Sequence, residues 1–299
     1  MNITLRQLEI FREVARHLSY TRAAEALNLT QPAVFAQVRQ LEGQLRTELI
    51  ERIGRRLHLT ASGRAVLETA RAVLDEIDGM KMRLAEMQGL MRGRLGLCIV
   101  STAKYDIPGR LGPFARAHPD IDIALTVGNR EELLARFAAN EDDLYILGTV
   151  PETLDAEWRP YAENPLVVIA APDHPLAARS GIAPSEVAAH PFILREPGSG
   201  TRAAAERFFA GAGIAPPVTM ELGANEAIKE AVRTGLGLSV VSRGSAELEL
   251  QTGRLVELRV EGFPLLRHWH VAWPRGKRLS PAALAFLDVL LGKGRHKAG

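Results

Sequence analysis

The chain has 299 residues, which is enough for two domains, and its formal net charge is only +2. Any binding of nucleic acid must therefore come from a local patch rather than from the overall charge. No stretch of about 18 apolar residues is present and the N-terminus lacks an apolar signal core, so we expect a cytoplasmic protein without a membrane span. The lone Cys98 cannot form an internal disulfide, and we predict that it packs as a small buried residue of a strand.

Residues 21–42 are predicted to form two short helices joined by a tight turn. Ser19 or Tyr20 begins the first helix, and Asn28 suits a turn because Asn tolerates the left-handed conformation. Thr30 is a natural N-cap, and Pro32 falls in the first turn of the second helix, where its missing N–H costs nothing. The apolar positions of the second helix predict an inner face of Ala33, Val34, Val38, Leu41 and Leu45. Taken alone, this pattern also fits an ordinary helical hairpin in a core.

The neighbouring segments favour a DNA-binding unit. Residues 4–16 predict an amphipathic helix with Leu5, Leu8, Phe11 and Ala15 on its apolar face, and residues 49–60 predict a hairpin with Gly54 at its tip. Residues 1–60 hold nine Arg against six Glu and no Lys or Asp, which gives a local charge of +3. Three helices and a basic hairpin make a winged helix-turn-helix. The candidate DNA contacts are Thr30, Gln31, Pro32, Ala33, Phe35, Gln37 and Arg39 on the recognition helix and Arg52, Arg55 and Arg56 on the wing.

A long helix without proline is predicted from Ser62 to about Leu90. Its apolar residues follow one another alternately four and three positions apart, which is the spacing of a pairing seam: Val66, Ala70, Val73, Ile77, Met80, Leu84, Met87 and Met91. The alternative is a helix lying on its own domain, but polar residues flank the narrow stripe on both sides. We therefore divide the chain into a DNA-binding domain (1–61), a dimerisation helix (62–91) and a third region (92–299).

Residues 3–62 resemble the DNA-binding domain of the LysR-type transcriptional regulators. The matching pieces, in order and spacing, are Leu5-Arg-Gln-Leu-Glu-Ile-Phe, Ser19-Tyr-Thr-Arg-Ala-Ala-Glu-Ala-Leu, Thr30-Gln-Pro-Ala-Val, Gln40-Leu-Glu and Leu59-Thr-Ala-Ser-Gly63. Phe35 departs from the family pattern, which commonly has a small hydroxyl residue there, and could contact a thymine methyl instead. The resemblance implies binding to double-stranded operator DNA, pairing through the long helix, a homotetramer of two dimers, and contact with RNA polymerase.

Beyond residue 92 the pattern alternates between strands and helices. Residues 92–96 carry two glycines and read as a hinge, and the alternation after them predicts a parallel sheet. The predicted strands are 95–100, 121–127, 143–148, 166–171, 192–194, 218–222, 235–241 and 269–273; the predicted helices are 108–118, 130–140, 200–210, 225–234 and 281–291. This region resembles the family's effector-binding domain, which is built like a bilobed periplasmic binding protein. Lobe one would comprise about 92–161 and 268–299, and lobe two about 162–267.

A glycine-rich loop before a predicted helix, Arg195-Glu-Pro-Gly-Ser-Gly-Thr-Arg202, carries the chemistry of an anion receptor. Free N–H groups at a helix start, hydroxyls and arginines together suit a phosphate or carboxylate. The alternative is a loop whose Ser and Thr only cap the helix. Other polar residues follow the predicted strands and should meet the loop at one rim. The candidate ligand-binding residues are Ser101, Thr102, Lys104, Asn129, Arg130, Thr149, Arg195, Ser199, Thr201 and Arg202.

Four segments together resemble those of the CbbR subgroup: Ser101-Thr-Ala-Lys-Tyr, Val127-Gly-Asn-Arg-Glu, Asn140-Glu-Asp-Asp-Leu and Arg195-Glu-Pro-Gly-Ser-Gly-Thr-Arg. That subgroup regulates Calvin-cycle or Rubisco operons and responds to phosphorylated or nucleotide metabolites. We therefore expect an activator of carbon-fixation genes under a small anionic effector. The alternatives are a LysR-type regulator that senses a non-phosphorylated organic acid, and a free solute-binding protein, which the N-terminal motif disfavours. No enzyme, metal or cofactor is expected. The Gly-x-Ser-x-Gly elbow is absent, and His268 and His270 read as a solvent-facing pair on a strand.

Overall fold

The structure, a computed structural model, describes residues 3–87 and 91–293. The chain divides into two compact units: residues 1–93 together with 139–141, and residues 94–138 together with 142–299. Within the described residues, no helix has both the length and the apolar composition needed to cross a bilayer.

The N-terminal unit is a three-helix bundle followed by a two-stranded hairpin and a long helix. Thr4 caps α1 through a capping box with Gln7, which satisfies two of the N–H groups at the helix start. The core is formed by residues from α1, α2, α3, β1 and α4, including Phe11, Val34 and Leu41. The elements are α1 (Leu5–His17), α2 (Tyr20–Leu27), α3 (Gln31–Leu45), β1 (Ile50–Ile53), β2 (Arg56–Leu59) and α4 (Ala61–Met87).

Two of the predicted inner faces need correction. Leu5 is exposed, whereas Ile10 and Val14 are buried, so the apolar face of α1 lies one step further round the helix than predicted. Ala33 is exposed on α3. It lies about 100° around the helix from the buried Val34, on the side that faces away from the bundle.

The long helix α4 leaves much of its predicted seam uncovered. Val73, Met80, Leu84 and Met87 are exposed, and Met87 keeps 84% of its surface. An apolar row of this kind on one helix is what a second helix would cover. The helix ends at Met87, and Met91 lies outside it. The predicted helical residues 88–90 lie outside the described residues.

Lobe one of the C-terminal unit is a five-stranded mixed sheet in the order β4-β3-β5-β13-β6, with helices on its faces. Strands β3 and β5 are parallel, whereas β13 is antiparallel to both β5 and β6. A core of Leu133, Phe137, Tyr145 and neighbours includes Cys98, which is fully buried as predicted. The elements are β3 (Gly93–Val100), a 3₁₀ turn (Ser101–Tyr105), α5 (Ile107–Ala117), β4 (Ile121–Gly128), α6 (Arg130–Ala138), β5 (Leu144–Leu147), β6 (Ala156–Glu163), β13 (His268–Pro274) and α11 (Pro281–Leu290).

Lobe two holds two sheets, ordered β11-β7-β12-β8 and β10-β9. Strand β7 is buried on both faces, because Leu166 and Val168 enter one core cluster and Val167 and Ile169 the other. The elements are β7 (Leu166–Ala170), β8 (Ser180–Ile182), α7 (Pro184–Val187), β9 (Phe192–Arg195), α8 (Gly200–Gly211), β10 (Val218–Leu222), α9 (Asn225–Arg233), β11 (Ser239–Ser242), a 3₁₀ turn (Arg243–Ala246), α10 (Glu247–Gln251) and β12 (Val256–Val260).

Two sequence predictions for this unit are wrong, and the hinge at residues 92–96 stays a prediction. The boundary between the two compact units falls after Gly93, although Gly93 begins β3 and Gly96 exchanges hydrogen bonds of 2.7 and 2.9 Å with Asp143. Residues 235–238 do not belong to a strand, since Gly235 has a φ of +80° and turns the chain before β11. The four- and five-stranded sheets are mixed rather than parallel, because β7 pairs antiparallel with β11 and β12, and β13 pairs antiparallel with β5 and β6. Strands β9 and β10 do pair in parallel.

Candidate functional site

The predicted recognition helix has the local structure that its sequence dictates. Ser19 Oγ accepts a hydrogen bond from Arg22 N at the start of α2, and Thr30 Oγ1 accepts one from Ala33 N at the start of α3. Asn28 has a φ of +52° and makes the turn between them. Thr30, Gln31, Pro32, Ala33, Phe35 and Arg39 are exposed, and Gln37 is half-buried. One face at the start of α3 is therefore open to a DNA groove.

Phe35 stands out on this face because a large apolar ring remains 40% exposed. Tyr20 meets it edge to face with ring centroids 5.2 Å apart, and the guanidinium of Arg39 lies 5.4 Å from the ring centroid. These two neighbours fix the ring while leaving part of it open to solvent.

Glu42, which the sequence analysis did not single out, joins the recognition helix to the wing. Its Oε1 accepts hydrogen bonds from Leu49 N at 2.8 Å and Ile50 N at 3.2 Å, and its other oxygen lies 3.2 Å from Arg39 Nη1. The side chain is only 6% exposed. The sequence feature that could have identified Glu42 is the Gln40-Leu-Glu segment, in which a carboxylate follows the buried Leu41.

The wing carries its basic side chains in solvent. Arg52, Arg55 and Arg56 are exposed around a turn in which Gly54 has a φ of +61°. Arg52 Nε donates to Gly54 O at 3.2 Å. In the described part of the chain, Arg55 and Arg56 have no ion-pair partner. Their charges are therefore available to phosphates.

In the C-terminal unit, a cleft between the two lobes brings eight of the ten predicted ligand residues together. They come from the ends of β3, β4, β5 and β9 and from the N-terminus of α8. These residues are Ser101, Thr102, Asn129, Arg130, Thr149, Arg195, Ser199 and Thr201. The crossing segments between the lobes add Asn164 and Arg267, and β13 adds Trp269; the sequence analysis missed all three.

Arg195 lies in this cleft but is already fully engaged. It is 3% exposed, and its guanidinium pairs with Glu196 at 2.7 Å. It also donates to Asn225 Oδ1 and to Ser101 Oγ, each at 2.9 Å. Since Ser101 belongs to lobe one, Arg195 links the lobes.

Arg267, like Arg130, is a cation of the cleft that has no ion-pair partner in the part of the chain that the structure describes. Its Nη2 donates to Thr149 Oγ1 at 2.7 Å and its Nη1 to Gly200 O at 3.2 Å, while its buried Nε has no partner among the described residues. Burial, together with the like charges of Arg207 and Arg130, lowers the pKa of Arg267 to about 10. The guanidinium stays protonated at neutral pH, and an anion would balance the repulsion from the two neighbouring arginines.

Lys104 and Arg202 do not line the cleft. Lys104 pairs with Glu226 at 2.8 Å. The Arg202 guanidinium bonds to Glu206 and Glu221 and donates to the Arg195 carbonyl at 2.9 Å. Both predicted ligands thus have local carboxylate partners, which strand-end spacing alone does not reveal.

Gly148 lets Arg267 approach the end of β5 closely. A Cβ at this position would stand 2.7 Å from Arg267 Nη2 and 3.3 Å from Asn164 Nδ2. The open space in the cleft is about 20 Å³, which is little more than one water molecule occupies. The cleft is therefore contracted, with polar groups aimed into it.

The two histidines of β13 differ from their predicted description. His268 is exposed, but His270 is half-buried against Trp158, with ring centroids 5.1 Å apart. Burial lowers the pKa of His270, and the nearby His268 adds to the shift. Among residues 3–87 and 91–293, no group of three or more His, Cys, Asp or Glu side chains could hold a metal ion.

Two family descriptions match the chain: "Bacterial regulatory helix-turn-helix protein, lysR family" over residues 5–64, and "LysR substrate binding domain" over residues 88–295. A RuBisCO operon transcriptional regulator of Acidithiobacillus ferrooxidans is 48% identical over 96% of this chain and 93% of its own length. The protein of the same description from Allochromatium vinosum is 47% identical over 98% and 97%.

A solved structure carries the likeness to the C-terminal unit. The regulatory domain of CcmR from Synechocystis PCC6803, solved in complex with 2-PG, is 42% identical, with a TM-score of 0.65. The match covers 69% of this chain and 99% of that domain.

Proposed function

This chain belongs to the LysR family of bacterial transcriptional regulators, and from that premise we propose that it controls carbon-fixation genes in response to a phosphorylated anion bound between its lobes. The proposal has two parts. The N-terminal unit binds operator DNA as a paired subunit, and the C-terminal unit senses the anion.

DNA binding rests on α3 and the wing. The exposed start of α3 is shaped to enter the major groove, and Arg55 and Arg56 are free to contact phosphates. Two subunits that cover each other's exposed row on α4 would present two recognition helices. Paired helices read two half-sites, which a single subunit cannot do.

Anion sensing rests above all on one observation, the uncompensated guanidinium of Arg267. Its orphaned Nε, the nearby Arg130 and the N-terminus of α8 together create a site that lacks negative charge. A phosphate supplies more charge than a single carboxylate and can accept several of these donors at once. The 2-PG bound by the CcmR regulatory domain, a relative at 42% identity, has this chemistry.

Binding of such an anion has to change the arrangement of the two lobes around the cleft. The open space of about 20 Å³ is too small for a phosphorylated acid, so the contacts that now fill the cleft must give way. These contacts include the hydrogen bonds from Arg267 to Thr149 and Gly200 and from Arg195 to Ser101. The anion shifts the lobe arrangement by its difference in affinity for the two states, and the shift moves the paired DNA-binding units.

Isothermal titration of the full-length protein with 2-phosphoglycolate and with glycolate tests the proposal. We expect saturable binding of the phosphorylated acid, weakened about 10- to 100-fold by Arg267→Gln, because a hydrogen bond to a charged group contributes about 1.5–3 kcal/mol. Arg259→Gln is the matched control, since it removes an exposed arginine of lobe two outside the cleft.

Equal affinity for 2-phosphoglycolate in wild type and Arg267→Gln would exclude this cleft as the anion site. Tighter binding of glycolate than of 2-phosphoglycolate would favour the alternative regulator, which senses a non-phosphorylated acid.

A further inference from the structure

A second cavity, with a volume of about 350 Å³, lies beside the anion cleft. Thr102, Asn164 and Trp269 line both spaces. The volume falls in the range of small-molecule sites, and the cavity already exists without any movement of the lobes. Lobe one and its crossing segments contribute Thr102, Tyr105, Asp106, Glu163, Asn164, Pro165 and Trp269, and lobe two contributes residues 242–244, Glu247, Leu250 and Gln251.

Two charged groups on the wall of this cavity are already neutralised. Asp106 pairs with Arg110 at 3.0 Å and accepts a hydrogen bond from Tyr161 at 2.9 Å. Arg243 pairs with Glu257 at 3.0 Å. Neither Asp106 nor Arg243 therefore sets the charge that an occupant would meet.

Glu163 and Glu247 are the carboxylates on the wall that keep an unbalanced charge. Neither has a cationic partner within the described residues, and Glu247 accepts only a 3.2 Å hydrogen bond from Gln251. One glutamate belongs to each lobe. The cavity therefore carries uncompensated negative charge from both sides, whereas the adjoining cleft carries the uncompensated positive charge of Arg130 and Arg267.

We propose that this cavity is a second effector site, which binds a small organic cation of the aliphatic amine or guanidinium class. The cationic head balances Glu163 and Glu247, while the aliphatic chain lies against Leu250 and the part of the largely buried Trp269 that lines the cavity. A chain with a cation at each end satisfies both carboxylates at once and so holds the two lobes together.

The shared wall couples this site to the anion cleft. The cation fits a cavity of the present lobe arrangement and bridges the two lobes, whereas the anion must break the contacts that contract the cleft. The two ligands therefore favour different arrangements of the lobes, and by linkage each lowers the affinity of the other by the same factor. This coupling rests on the proposed anion cleft, whereas binding of the cation does not.

Three compounds with the same carbon chain separate charge from shape: butane-1,4-diamine, butane-1,4-diol and succinate. We expect the full-length protein to bind the diamine saturably in a low-salt titration and not to bind the diol. Succinate should not displace the diamine. Absence of saturable diamine binding, or equal binding of the diol, would overturn the proposal.

Charge-removing variants locate the site. Glu163→Gln and Glu247→Gln should each weaken diamine binding about fivefold, the upper end for ion pairs that keep contact with water. Glu157→Gln on β6 and the exposed Glu261→Gln in lobe two are controls that should leave the affinity unchanged. If all four variants bind the diamine with wild-type affinity, the diamine binds elsewhere on the surface and the assignment is contradicted.

Titration of the diamine in Arg267→Gln distinguishes the two proposals. Retained diamine binding together with loss of 2-phosphoglycolate binding supports both sites as separate. Loss of diamine binding in this variant would show that the cation depends on the anion cleft and would refute a separate second site.

Discussion

Replacing Glu42 with alanine tests how the DNA-binding unit holds its wing. The carboxylate is 6% exposed and accepts hydrogen bonds from Leu49 N at 2.8 Å and Ile50 N at 3.2 Å. The substitution therefore removes the acceptor and leaves two N–H groups at the base of the wing unpaired.

The size of the effect follows from the contacts. A hydrogen bond to a charged group contributes about 1.5–3 kcal/mol, so we expect Glu42→Ala to lower the free energy of unfolding of this unit by about 3 kcal/mol. For a unit of this length, about 1 kcal/mol moves the melting temperature by about 4–8 °C, so the midpoint should fall by more than about 10 °C. Glu42→Gln keeps an oxygen acceptor and should lose about half as much stability.

Far-UV circular dichroism follows the helices of both units, whereas the tryptophans Trp158, Trp269 and Trp273 report only on the C-terminal unit and serve as an internal control. Amide exchange at Leu49 and Ile50 reads the lost hydrogen bonds directly. Glu48→Ala is the matched control, because Glu48 is exposed and its carboxylate lies 3.9 Å from Arg39. An unchanged midpoint in Glu42→Ala, with both amides still protected, would refute the reasoning.

Two further predictions concern binding. Gly148→Ala places a Cβ 2.7 Å from the original position of Arg267 Nη2, so the guanidinium must move. We expect this variant to bind 2-phosphoglycolate about tenfold more weakly and to bind DNA with unchanged affinity. An unchanged affinity for the anion would contradict the assigned role of Arg267. If Phe35 packs on a thymine methyl, replacing thymine by deoxyuracil in a duplex selected by the protein should weaken binding at one position about fourfold, the effect of one methyl group. Phe35→Ser should show no such difference, and a wild type insensitive to every replacement would refute the contact.

The sequence predicted best those parts of the fold that short-range chemistry controls. Thr30 is favoured as an N-cap, Asn28 is favoured in a left-handed turn, and Gly54 marks the turn of the wing. The positions of the helix-turn-helix and of the hairpin were therefore predicted correctly. Choosing polar residues that follow predicted strands also identified most of the residues that line the cleft, because the ends of neighbouring strands meet at one edge of a sheet.

Long-range pairing limited the remaining predictions. Arg267 and Asn164 enter the cleft because the chain crosses between the lobes twice, where Asn164 N donates to Arg267 O at 2.7 Å. No periodicity marks such a crossing. The exposed strand β6 was missed for a related reason, since Ala156–Glu163 contains a proline and gains its strand structure by pairing with β13. Arg202 was assigned to the cleft because strand-end spacing does not show that its side chain turns to Glu206, one helical turn further on, and to Glu221 on β10.

The central claim is that an anion at Arg267 changes how the paired subunits hold DNA. Fluorescence energy transfer between dyes at the two ends of a duplex selected by the protein measures the bend directly. We predict that 2-phosphoglycolate changes the transfer efficiency in the wild-type complex and in Arg259→Gln, but not in Arg267→Gln, although all three proteins bind the duplex. A ligand-dependent change of equal size in Arg267→Gln, or no change in the wild type despite measured ligand binding, would contradict the account.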